Sequence, residues 1–113
     1  MDTLLVMTNL PDRASAEFLA QVLVERRIAA CVNMLAPCRS VYHWQGRIEN
    51  VDEVPLLIKT TDAQFAALET VVQEFHPYEL PELIAVRIAR GLPAYLDWVA
   101  AETGTASGSS SAA

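Results

Sequence analysis

The side chains able to do chemistry in this chain fall at three places. His76 stands in FHPYELPE, residues 75 to 82, against Pro77 and ahead of Tyr78, Glu79 and Glu82. Cys31 lies in AACVN and Cys38 beside Arg39, after Pro37. His43 sits between Tyr42 and Trp44, and Lys59 lies in LIKTT. An imidazole with a thiolate is a donor set suited to copper or zinc. A closed structural zinc site takes four ligands, and one His with one distant Cys falls short of that. His76 also reads as the end of a helix, where an imidazolium favours the C-terminal dipole. Cys31 reads equally as a small core residue, and Cys38 as a surface thiol with one basic neighbour. Glu79 and Glu82 flank Pro81 and suit oxygen ligation, acid chemistry or loop capping. No Gly-rich phosphate loop, HExxH or GxSxG occurs, and no nucleophile sits beside a base. The expectation is a protein that is not an enzyme.

These residues need elements to position them. Residues 3–9 form a short apolar run ending at Leu10-Pro11-Asp12, which predicts a buried strand. Ala16, Leu19, Ala20 and Leu23 make one helical stripe, with Asp12 or Ser15 as cap and an end near Arg27. Residues 29–37 predict a second strand, interrupted at Pro37. Residues 38–60 predict one long hairpin turning at Gly46, with a bulge at Pro55. In that hairpin Tyr42 and Trp44 share a face and His43 takes the other. Asp62 is the expected cap of a second helix carrying Phe65, Leu68, Val72 and Phe75, which ends at His76-Pro77. Residues 82–91 predict the last strand and 92–102 a short helix. The order is β-α-β-β-α-β: an α+β, ferredoxin-like sandwich with both helices on one face of an antiparallel sheet. The other sheet face would be bare, and a bare apolar face finds a partner. A homo-oligomer is therefore expected.

The chain has 113 residues, which predicts one domain over 1–102, with a disordered Gly/Ser/Ala tail over 103–113. Fourteen acids against eight bases give a formal charge of -6. That balance disfavours nucleic acid and anionic membranes and is compatible with cations. No run approaches the ~18 residues of a membrane-spanning helix. The N-terminal residues lack a basic segment, so no signal peptide and a cytoplasmic location are expected. Two cysteines are too few for a disulfide framework, and both are expected reduced.

AACVN, SVYHWQGRIE, LLIKT, FHPYELPELIAV and AYLDWV occur in an order that resembles the CutA divalent-ion-tolerance proteins, across residues 4–99. The resemblance implies a ferredoxin-like subunit in a cytoplasmic homotrimer. It implies a role in divalent cation (copper) tolerance, with direct Cu2+ binding in some members and no obligatory cofactor or enzymatic reaction. His76 matches the proposed metal-ligating histidine and Cys31 the frequent AACVN cysteine. Tyr42, Trp44, Lys59, Tyr78 and Glu79 match recurring positions assigned here to an intersubunit cleft. Some members carry a second histidine where this chain has Phe75, and a cysteine where it has Met7-Thr8-Asn9. A PII-like module that binds a small molecule or a partner is the alternative reading.

Overall fold

Alternation fixes the first strand. Thr3–Leu10 (β1) buries Leu4, Val6, Thr8 and Leu10 and leaves Leu5, Met7 and Asn9 half-exposed, the period-2 signature of a strand with one covered face. Arg13–Glu25 (α1) starts at Asp12, whose Oδ1 accepts from the Ser15 backbone N–H at 2.8 Å, so Asp12 rather than Ser15 is the cap. The computed structural model describes residues 2–104. The other elements are Cys31–Met34 (β2), Cys38–Trp44 (β3), Arg47–Thr61 (β4), Phe65–Phe75 (α2), Ile84–Arg87 (β5) and Pro93–Ala101 (α3).

The antiparallel sheet has the order β2-β4-β1-β5, and β3 pairs with the first half of β4. Strand β4 organises it. Residues 54–61 pair with β1 on one side, 56–59 pair with β2 on the other, and 47–53 project beyond β1 with only β3 for company. Side chains of α1 and α2 (Leu19, Leu23, Leu68, Val72) pack on Val6, Leu10, Leu56 and Ile58 to form the core. The hairpin turns at Gln45 (φ 52°) and Gly46 (φ 78°), two left-handed residues in succession, as a two-residue hairpin loop requires.

Four expectations need correction. Pro55 makes no bulge against β1: the register runs unbroken from Thr3↔Thr61 to Leu10↔Val54. Its carbonyl accepts from the Leu35 N–H, so its nitrogen faces the break between β2 and β3, where no ladder donor is needed. Strand β2 is shorter than expected, because Ala29 is bonded to the Leu23 carbonyl in the turn after α1 and the chain leaves β4 beyond Leu35. Strand β5 ends at Arg87, because its partner β1 begins at Thr3, whose carbonyl takes the Ile88 N–H. Asp62 does not cap α2. It opens a 3-10 turn, Asp62–Gln64, and its carboxylate lies 3.7 Å from Arg87.

The first two residues of the expected tail, Thr103 and Gly104, are bonded to the fold. The Thr103 hydroxyl donates to the Val99 carbonyl, and Gly104 N–H donates to the carbonyl of Arg27, the left-handed residue that ends α1. Arg27 in turn donates to the Ala101 carbonyl at 2.9 Å. The rest of that expectation, 105–113, lies outside the described residues.

Candidate functional site

The chain after α2 assembles the site. Pro77 stops the helix, and the segment 77–82 runs along the outer edge of β1 before β5 begins. There β1 has no strand partner, so its polar groups are met individually. Thr8 Oγ1 donates to the Glu82 carbonyl at 2.6 Å, and Asn9 Nδ2 donates to Glu82 Oε1 at 3.2 Å. His76 takes the remaining group. Its Nδ1 accepts from the Tyr78 backbone N–H at 3.1 Å, so Nε2 carries the proton and donates to the Asn9 carbonyl at 2.6 Å. Its side chain is buried. Burial lowers its pKa against the opposing influences of the Asn9 bond and Glu53, so the ring is neutral at pH 7. His76 does end α2 as expected, but neither nitrogen keeps a free lone pair.

Between segment 77–82 and the projecting hairpin lies a groove of about 920 Å3. Strand parity determines what β3 and β4 present to it. Ser40, Tyr42 and Trp44 fall on one face, and the Cys38↔Glu53 pairing puts Glu53 on that face too. Tyr42, Trp44, Tyr78 and Glu79 all line the groove, so four of the five residues assigned to a cleft come together within one chain. Lys59 does not. It lies six residues beyond Glu53 along β4, pairs with Cys31 and donates to Asn33 Oδ1, in a corner closed by Tyr95 of α3. Burial, together with the Cys31 thiol beside it, pushes the Tyr95 hydroxyl pKa upward.

The residue that sequence reading missed is Glu53. It is only 6% exposed, yet no Arg or Lys forms an ion pair with it among the described residues. Its neutral neighbour is Tyr78, whose hydroxyl pKa is pushed up to about 12, first by burial and then by the Glu53 carboxylate. A signal existed: Glu53 has the same strand parity as Glu49 and Val51, which sit opposite Tyr42 and Ser40.

The two expected metal ligands are not brought together. Cys31 is on β2, and His76 is bonded to the far edge of β1, two strands away. Along β4 their register positions differ by four residues, 59 against 55, or roughly 13 Å. No group of three His, Cys, Asp or Glu side chains able to hold a metal occurs among the described residues. Within one chain the His76–Cys31 pair therefore does not fit copper. Both thiols are free, and Cys38 is exposed.

The CutA1 divalent ion tolerance protein model matches residues 4–102. The chain belongs to this family. The divalent-cation tolerance protein CutA of Thermus thermophilus is 42% identical over 88% of this chain and 96% of its own length. The crystal structure of CutA from Xylella fastidiosa superposes with a TM-score of 0.89 at 45% identity, covering 92% of this chain and all of the other. CutA from Archaeoglobus fulgidus, described as periplasmic, superposes at 0.83 with 35% identity over 88% and 95% of the two chains. The match over residues 4–102 includes the long hairpin, segment 77–82 and α3.

Proposed function

We propose that this CutA1 chain is a cytoplasmic homotrimer of ferredoxin-like subunits that serves divalent-cation tolerance by binding a ligand in the groove, without catalysis. The groove carries this reading. It is concave, of small-molecule size, and lined by aromatic rings around a few polar groups, as ligand sites are. The bare sheet face and the projecting hairpin support the trimer. The two unpaired cysteines support a reducing compartment.

Direct copper binding through His76 and Cys31 is the competing reading, and the engaged ring nitrogens of His76 count against it. Native mass spectrometry with one equivalent of Cu(II), run beside a copper-tolerance assay in cells lacking their own copy, tests both. The expected result is a trimer with no discrete copper load, and tolerance lost in Tyr42→Ala. A defined copper per chain that disappears in Cys31→Ser, with Tyr42→Ala fully tolerant, would replace the groove reading with metal coordination. Cell fractionation checks the location.

A further inference from the structure

Glu53 is a buried carboxylate with no cationic partner among the described residues. A buried carboxylate is costly unless paired. Arg39, close in sequence to the β3 end of the groove, is held by Asp52 at 3.0 Å and Asn50 at 2.9 Å, on the opposite hairpin face. Arg87 is held by Asp2 and Asp62 at the other end of the sheet. Lys59 is held by Asn33. The Tyr78 hydroxyl gives Glu53 a neutral donor and no counter-charge. Glu79 and Glu82 add two more carboxylates to the lining, and no Lys or Arg contributes to it.

The rest of the lining selects among cations. A metal ion needs several hard donors converging within about 2–2.6 Å, and no such cluster occurs among the described residues. The groove is also far larger than an ion requires. Tyr42, Trp44 and Tyr78 instead line it with aromatic rings, a residue type that attracts diffuse, weakly hydrated charge. A substituted ammonium suits both features: its charge can rest against Glu53 while its alkyl body lies on the rings.

We propose that the groove binds a small organic cation, an alkylammonium compound, with Glu53 as its counter-charge and Tyr42, Trp44 and Tyr78 as its aromatic walls. The proposal rests on the reading of the groove as the working site and adds the chemical class of the ligand.

The test is an NMR titration of the isotope-labelled full chain with tetramethylammonium, n-butylammonium, tert-butanol as neutral isostere, and inorganic phosphate. Each is repeated on Glu53→Gln and Tyr42→Ala. The expected result is that both ammonium probes shift the amides of Glu53, Tyr42 and Tyr78, while tert-butanol and phosphate do not. Glu53→Gln should weaken ammonium binding at least tenfold. Glu53→Gln keeps the shape of the side chain and an oxygen to accept from Tyr78, and Tyr42 is 39% exposed, so circular dichroism of both variants should match the unchanged chain. Ammonium binding unchanged in Glu53→Gln overturns the proposal. Saturable binding of tert-butanol or phosphate in place of the ammonium probes overturns the ligand class and leaves the groove reading standing. Silence from all four probes overturns the proposal, and continued silence from a broad neutral and anionic panel overturns the groove reading as well.

Discussion

His76 can serve two backbone groups at once only while its ring is neutral. The lone pair on Nδ1 takes the Tyr78 N–H, and the proton on Nε2 goes to the Asn9 carbonyl. Protonation destroys the first of these bonds. Its pKa in the folded chain lies below the ordinary 6.5, chiefly through burial. The folded state therefore binds fewer protons than the unfolded chain just below 6.5. The contribution of His76 to stability is complete above the unfolded value and is lost as pH falls through the lowered folded one. Thermal unfolding should show Tm dropping between pH 7 and pH 5, with a shallower drop in His76→Gln. His76→Ala at pH 7.5 should cost about 1–3 kcal/mol, because it strands a buried donor and acceptor. Urea unfolding measures it, and a loss of a few tenths would show that water replaces the ring. Tyr78 gives a second check. Its hydroxyl should ionise near 12 in an absorbance titration and move downward in Glu53→Gln, since the carboxylate is its second cause after burial. None of this was visible in the motif alone. FHPYE announces a histidine at a helix end, but not that β5 stops short of Asn9 and leaves a carbonyl for that histidine to meet.

The hairpin shows what a sequence discloses about elements and what it withholds. Its extent and its turn at Gly46 were legible, because β-formers on both sides flank a glycine, and the alternation placed Tyr42 with Trp44. The error at Pro55 came from treating β4 as one edge. Its two edges have different neighbours, and the proline needs a gap on one of them only. Glu53 escaped notice for a related reason. Parity gives the face of a residue, but its burial depends on segment 77–82 returning from some 25 positions later. The turn itself yields a prediction. Gly46 has φ of 78° with open space around its Cα, so a methyl group meets no atom and only backbone strain is added. Gly46→Ala should cost about 1–2 kcal/mol in denaturant unfolding. A neutral result would mean that the hairpin contributes little to the cooperative unit of the free chain.

At the scale of the whole molecule the proposed trimer has to account for the surfaces that one chain leaves open. Its long axis is 52 Å, close to the roughly 50 Å that the 15 residues of β4 span when extended. Nearly half of β4, residues 47–53, projects beyond β1 with β3 as its strand partner, and two-stranded hairpins are marginal in water. Val41 and Ile48, on one face of it, are 64% and 70% exposed. The open face of the sheet adds Ile84 and Val86 at 50% and 49%, alongside Leu5 and Met7 in register. Covering half of each β5 side chain would recover about 1 kcal/mol apiece, a gain that the symmetry of the proposed trimer would repeat in every subunit. Such a surface explains why a short, acidic chain with a modest core carries so much exposed apolar area. Ile84→Glu with Val86→Glu should leave β5 paired to β1 through its backbone while placing two charges where the partner packs. On the proposed assembly, light scattering should find trimers of the unchanged chain and monomers of the double variant, with far-UV circular dichroism retained. A trimer that survives both charges would move the interface off the open face and onto the hairpin, where Ile48→Glu becomes the deciding substitution.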